Sequence, residues 1–342
     1  MAKRITFSAS EYEGNEEDVF RVVNRNRSIL HTEEYLSWRY GGKAKSTQIF
    51  WVCEGDGQRV GMAGLVARRY WINKELSRIW VLGDICLDKH LRGRGIGREF
   101  FCYLNSFIAE SEYQVALVMP NKRAAKSLLS SGWSSPRPFS WFVWLVDPVS
   151  KLLPVVRNKH ISTWVGRLYC RIMLRKIEED IDKGFRLVRS NCFDSSFDRL
   201  WRQLPKEGLI ARDRGSACLH WRFVQHPRGD FGIRKLIKAD ELLGYLVYSM
   251  EIGRICRIVD FCTREPVLLE SMLRMFLKEL NDRGDTKVVR IKLNSDHGYA
   301  EHLRTTGFVE RREGDIYQIY DGSRRGMLES YGWFLTITDK DA

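Results

Sequence analysis

The sequence predicts an α+β protein made of two similar units, each a mixed central sheet flanked by helices. Three observations predict it. Segments rich in β-branched and aromatic residues come first, followed by strand, loop, helix, strand, helix and strand, an α+β order. Short signatures from the first half return in the same order in the second. A glycine-rich loop, Arg92-Gly93-Arg94-Gly95-Ile96-Gly97-Arg98, joins a long strand to a long helix.

Taken in order, Ile49 to Cys53, Arg59 to Arg69 and Ser77 to Leu87 read as strands, with Asp56-Gly57 as the hairpin turn between the first two. Gly97 to Glu112 reads as a helix, because Phe100, Phe101, Leu104, Phe107 and Ile108 repeat at helical spacing. Val115 to Met119 is a short buried strand. Asn121 to Ser131 is a second helix, stopped by Gly132, and Trp141 to Val146 is a final strand. The second half reads alike. Strands fall at Ile233 to Ala239, Leu242 to Met250 and Arg254 to Cys262, then a helix from Val267 to Arg283, a strand from Val288 to Leu293 and a helix around Tyr299 to Thr305.

The repeat supports the same division. Trp38-Arg39-Tyr40 returns as Trp221-Arg222-Phe223, Gly61 as Gly244, Asp84-Ile85-Cys86 as Asp260-Phe261-Cys262, and Leu128 with Gly132-Trp133 as Leu303 with Gly307-Phe308. Order is kept and the offset drifts by only a few residues, which argues for duplication. The expected units are residues 1–147 and 185–342, joined by residues 148–184. From Lys151 to Lys176 the joint carries seven basic and no acidic residues. Its apolar positions Ile161, Trp164, Val165, Leu168, Ile172 and Met173 repeat at helical spacing. Such a helix can lie on an anionic membrane surface, but a place between the two units with its arginines in water is the favoured reading.

Composition bounds the function. The 342 residues are 29% charged and 44% hydrophobic, as in soluble globular proteins. No apolar run is long enough to span a bilayer, and the N-terminus lacks the apolar core of a signal peptide, so a cytoplasmic protein is expected, with peripheral membrane contact through residues 151–176 as the variant. The eight cysteines form no C-x-x-C pair and the seven histidines lack ligand spacing, so neither a disulfide framework nor a metal site is expected. The net charge of +13 is diffuse outside the joint, and no recognition motif for nucleic acid accompanies it. It suits attraction to an anionic cofactor or membrane surface.

The glycine loop carries the chemistry. Glycines at alternate positions permit φ > 0 and a close approach of backbone amides to a ligand. The loop opens into a helix N-terminus, where free N–H groups favour an anion, and Arg92, Arg94 and Arg98 add positive charge. A pyrophosphate fits this device. The G-x-G-x-G spacing differs from both the dinucleotide fingerprint and the P-loop. It resembles the acetyl-CoA motif of the GNAT (GCN5-related N-acetyltransferase) superfamily, [Q/R]-x-x-G-x-[G/A], with Arg92, Gly95 and Gly97 in the fixed positions. The downstream pattern N-x-x-A-x-x-x-Y-x-x-x-G-F is matched by Asn121, Ala124, Gly132 and Trp133.

The resemblance implies two GNAT-like domains, the second degenerate, and an acyl-CoA donor, acetyl-CoA in the first instance. The pantetheine arm would lie where the strand ending at Leu87 splays from the one beginning at Val115, bonded by backbone around Cys86 and Leu87. The amides of Arg92, Gly93, Arg94, Gly95, Ile96, Gly97 and Arg98 would hold the pyrophosphate, with Asn121 completing the cofactor set. A small-molecule amine or amino-sugar acceptor would attack the thioester directly. Asp84 is the candidate base, or else a structural or substrate-orienting group. The family's tyrosine acid falls on Leu128, which cannot donate a proton. In the second half the loop reads Thr263-Arg264-Glu265-Pro266-Val267, without glycine, and no cofactor is expected there. Two other functions stay open: a non-catalytic CoA-binding sensor or scaffold, and a peripheral membrane acyltransferase acting on a lipid-linked sugar.

Overall fold

The computed structural model describes residues 4–41, 46–135, 139–146, 184–311, 317–323, 328 and 330–340. The expected basic helix Lys151–Lys176 lies outside the described residues.

Strand β1 (Ile5–Ser10) leads into helices α1 (Glu16–Arg25) and α2 (Glu33–Tyr40). The second is capped by Thr32, whose hydroxyl accepts from Tyr35 N at 3.1 Å. Strands β2 (Thr47–Glu54), β3 (Arg59–Ile72) and β4 (Glu75–Leu87) form an antiparallel meander. Helix α3 (Ile96–Glu110) crosses to β5 (Val115–Val118), which pairs parallel with β4; α4 (Lys122–Leu129) and β6 (Phe139–Leu145) follow. The second half opens with β7 (Arg186–Ser190), a helix at Ser195–Gln203 and β8 (Leu209–Arg212). It then repeats the meander as β9 (Phe231–Lys238), β10 (Glu241–Glu251) and β11 (Ile255–Thr263). A helix at Leu268–Arg283, β12 (Val288–Asn294) and a helix at Tyr299–Thr305 come next. Three short strands close the chain: β13 (Val309–Arg311), β14 (Gln318–Asp321) and β15 (Gly332–Phe334).

The two units interlock. Strand β6, which the sequence groups with residues 1–147, pairs antiparallel with β12 from Leu145↔Val288 to Phe139↔Asn294. It sits inside the second sheet, whose order is β13-β6-β12-β11-β10-β9-β7. In return β14 pairs antiparallel with β5 and extends the first sheet, β1-β2-β3-β4-β5-β14. Strand β8 pairs with the far end of β3, and β15 with β8. The sequence of β6, Phe-Ser-Trp-Phe-Val-Trp-Leu, is apolar almost throughout, as an inner strand buried on both faces requires. Its Phe142 and Trp144 are fully buried in the second unit's core. A shared cluster of Tyr70, Val81 and Leu117 with Ile210, Ile319, Trp333 and Leu335 fills the space between the units.

The repeated signatures meet in space. Trp38 and Trp221 stack on each other, with ring centroids 4.6 Å apart and planes at 10°, and Trp38 Nε1 donates to the Trp221 carbonyl at 3.0 Å. Each tryptophan thus packs on its repeat. Gly61 and Gly244 recur because each lies against the neighbouring strand. A Cβ would stand 2.8 Å from the Cys86 carbonyl at the first and 2.7 Å from Thr263 Cγ2 at the second. Among the described residues no helix is long and apolar enough to cross a membrane.

Candidate active site

Strand β4 carries a bulge. Gly83 pairs with Gly64 and Cys86 with Met62, so one residue more stands on β4 than on β3 between those pairs, and Asp84 there adopts φ +49°. The bulge turns the Asp84 carboxylate inward, where it is buried. Four side chains meet it. Tyr40 donates to Oδ2 at 2.5 Å, His31 Nε2 lies 3.2 Å from Oδ1, Arg39 Nε lies 3.4 Å from Oδ2, and the Arg27 guanidinium pairs with Oδ1. Burial pushes this carboxyl up, but Arg39, the His31 hydrogen bond, Arg27 and Tyr40 outweigh it and hold the group far below the usual carboxylate range. Asp84 is therefore a fixed anion. Its place depends on Gly83, where a Cβ would lie 1.8 Å from Arg39 Nη2.

His31 is the group that Asp84 orients. Its Nδ1 lies 2.8 Å from Arg228 Nη2. A guanidinium only donates, so Nδ1 accepts, and the ring proton sits on Nε2 toward Asp84. The imidazole thus turns Nε2 toward the carboxylate and Nδ1 toward Arg228.

The strands part beside this cluster. Pairing of β4 with β5 runs from Trp80↔Ala116 to Leu82↔Val118 and stops there. Beyond it lies a cavity of about 410 Å³, lined by residues of both strands and of the second unit, among them Leu82, Asp84, Val118, Asn121, Arg228 and Lys292. Asn121 reaches it from the start of α4, where its Oδ1 caps the helix by accepting from Arg123 N and Ala124 N at 3.0 Å each. Cys86 is buried, and burial pushes its thiol up to about 12, which excludes it as a ready nucleophile.

The glycine loop follows β4. Gly93 and Gly95 take φ of +78° and +82°, and Gly95 is the residue before the first turn of α3. Ile96 is buried and pins the helix start, while Arg94 and Arg98 stand exposed. Arg92 is committed to the loop's own shape: its Nε donates to the Leu87 carbonyl at 2.7 Å and its Nη2 to Asn26 Oδ1 at 3.0 Å. One backbone group of the Cys86–Leu87 segment expected around the cofactor, the Leu87 carbonyl, thus has an internal donor. Arg98 N already donates to the Gly95 carbonyl at 2.9 Å, and the remaining arrangement of positive-φ glycines, exposed arginines and the Ile96 and Gly97 amides fits a pyrophosphate.

Solved structures share this architecture. A GCN5-related N-acetyltransferase from Anabaena variabilis superposes with a TM-score of 0.66 at 13% identity, over 93% of this chain and 73% of that one. A GCN5-related N-acetyltransferase from Kribbella flavida gives 0.58 at 12%, over 93% and 71%. The N-myristoyltransferase of Saccharomyces cerevisiae, with bound myristoyl-CoA, gives 0.53 at 9%, over 94% and 83%. The chain has the GNAT fold, in two lobes. No family model and no curated protein matches the sequence.

Within the GNAT fold the expected site residues fall into two groups. Asp84 and Asn121 line the cavity, and Arg92 to Arg98 form the loop after β4. Leu128, at the family's tyrosine position, is fully buried in the core of the first lobe. Arg27, His31, Tyr35, Arg228 and Lys292 were not foreseen as site residues, although all line the cavity. Only Arg39 carried a signal, through its repeat as Arg222. That repeat has a structural cause: Arg222 pairs with Asp339 at 2.9 Å, Asp339 with Arg214 at 3.2 Å, and Arg214 with Asp260 at 3.0 Å, all buried. The second lobe thus keeps a charged cluster around Asp260, and that cluster fixes the chain end near Ile337, a further residue of the cavity wall.

Proposed function

We propose that the chain is an acyl-CoA-dependent N-acyltransferase, with acetyl-CoA as donor and an amine of a small molecule or amino sugar as acceptor. One observation carries the reading. Where β4 and β5 part, a cavity holds an oriented imidazole, and the glycine loop follows on the same strand, β4. In this reading the amides from Gly93 to Gly97 hold the pyrophosphate and the pantetheine arm follows the gap beyond Leu82 and Val118. The donor, when bound, supplies a thioester carbonyl in the cavity.

The chain's own task is to place the acceptor nitrogen and to remove its proton. His31 suits that task better than Asp84. A carboxylate held by two arginines, a tyrosine and a histidine has little affinity for a proton at neutral pH, whereas Nδ1 of His31 presents a lone pair once Arg228 moves aside. Asp84 then acts as the positioning anion. Leu128 leaves the thiolate to take its proton from solvent.

The buried Leu128 also favours a second reading, a CoA-binding sensor without turnover. Thiol release from acetyl-CoA over a panel of amines separates the two. Release that depends on an amine and is lost in Gly95→Glu supports the transferase, while CoA binding with no release on any amine supports the sensor.

A further inference from the structure

We propose that the acceptor carries an anionic group, a carboxylate or a phosphate, beside its amine, and that Arg228 of the second lobe receives it. The identity of the reacting group rests on the acyltransferase reading; the anion rests on the cleft itself. The cavity is lined by four fixed cations, Arg27, Arg39, Arg228 and Lys292, and by one carboxylate, Asp84. Arg27 and Arg39 are both spent on Asp84. The second lobe adds two more cations, Arg228 and Lys292, to the net positive charge left by that group.

Arg228 is poised for a ligand. Its Nη2 donates to the Leu30 carbonyl and to His31 Nδ1, each at 2.8 Å, and its guanidinium lies over the Tyr35 ring, 4.2 Å from the centroid. None of the three is an acid, and among the described residues no carboxylate pairs with it. They fix the plane of the fork while leaving its charge uncompensated at the mouth of the cavity, which is a preorganised site for a carboxylate or phosphate. Lys292 adds a buried cation deeper in the wall, its Nζ 5.1 and 5.0 Å from the ring centroids of Phe139 and Trp141.

The contact with His31 gives this anion a second effect. Both protons of Arg228 Nη2 are engaged, on the Leu30 carbonyl and on His31 Nδ1, which leaves Nε and Nη1 to an incoming anion. An anion that draws the guanidinium toward itself weakens the Nη2 contact and uncovers Nδ1. An acceptor with the right charge therefore prepares its own proton acceptor, and a neutral amine does not.

Two measurements test the proposal. In the first, full-length protein saturated with CoA is titrated with inorganic phosphate and, separately, with acetate, against chloride at equal ionic strength, following the melting temperature. A saturable rise is expected in the wild type and its loss in Arg228→Ala, with Arg228→Lys between them. Phosphate alone giving the rise identifies a phosphate ester as the acceptor class; acetate giving it as well identifies a carboxylate. No saturable rise with either anion, or an equal rise in Arg228→Ala, overturns the proposal. In the second, thiol release is compared for matched amines, an amino acid against its amide and an amino-sugar phosphate against the free sugar. The charged member is expected to lead by about tenfold in kcat/KM, the worth of one charge-assisted hydrogen bond. The lead should vanish in Arg228→Ala through KM. Equal turnover of both members in the wild type also overturns it. A protein that bound no CoA would remove the acyltransferase reading instead, and the phosphate titration of the protein alone would still decide the role of Arg228. Arg228 is exposed, so its replacement leaves the core untouched.

Discussion

Asp84 and the side chains around it form a closed electrostatic unit, so the loss of the anion strands its partners. Replacing it by asparagine leaves Arg27 and the buried Arg39 without their counter-charge. Breaking a buried pair from one side costs about 3–5 kcal/mol, and denaturant unfolding of Asp84→Asn should show a loss of that order. The sign with pH follows from the depressed folded value. The carboxylate stabilises the fold above its ordinary value near 3.8, and that contribution is lost as pH falls from there toward the folded value. The stability gap between wild type and Asp84→Asn should thus be flat from about pH 6 to 8 and narrow below about pH 4. His31→Ala should behave differently: a fall in kcat of roughly 10²-fold with CoA affinity unchanged. A kcat within twofold of wild type would remove His31 as proton acceptor. The position of Asp84 was legible, because it stands a fixed distance before the loop on a strand with clear β pattern. Its partners were not. His31 and Arg27 lie 53 and 57 residues upstream in an irregular segment, where no periodicity marks which side chains turn inward.

At the level of the element, the bulge lines the cleft and the glycine loop follows it after the same strand. Gly95 has φ +82°, so any side chain there is strained, and a glutamate also repels phosphate. Calorimetry should find CoA binding abolished in Gly95→Glu and little altered in Glu265→Ala. Unchanged affinity in Gly95→Glu would sink the cofactor assignment. Gly83→Ala tests the bulge. Its Cβ would displace Arg39 from the carboxylate, and the variant should lose about 1–3 kcal/mol of stability, the range typical of overpacking. Meander strands, the long helices and the loop were readable because each spans enough residues to show a period; β3 extends only to Ile72 from the expected Arg69. Helix α1 was missed although Val19, Val22 and Val23 bury one face, because its charged start reads as a polar segment. Strands β13, β14 and β15 are three or four residues long, and such lengths carry no period at all.

For the whole molecule, the exchange of strands decides what each half can do alone. A fragment of residues 1–147 keeps the glycine loop and the Asp84 cluster, yet it loses β14 from the edge of β5 and leaves β6 without β12. Phe142 and Trp144, fully buried in the second lobe, would be exposed to water on a strand with two unpaired edges, an arrangement that invites aggregation. The fragment also loses Arg228, Lys292 and Ile337, which wall the cavity from the other side. This interdependence supplies a reason for a second lobe without a phosphate cradle to persist: it completes the first sheet and one face of the cleft. The fragment is therefore expected to be insoluble, and a version lacking residues 139–147 as well should still fail to turn over any amine. Solubility, circular dichroism, CoA affinity and thiol release, compared side by side for both fragments and the full chain, check this. A soluble 1–147 fragment with full turnover would show that the first lobe folds and acts without β14 and without the second lobe's cations, and the shared-cleft account would fall.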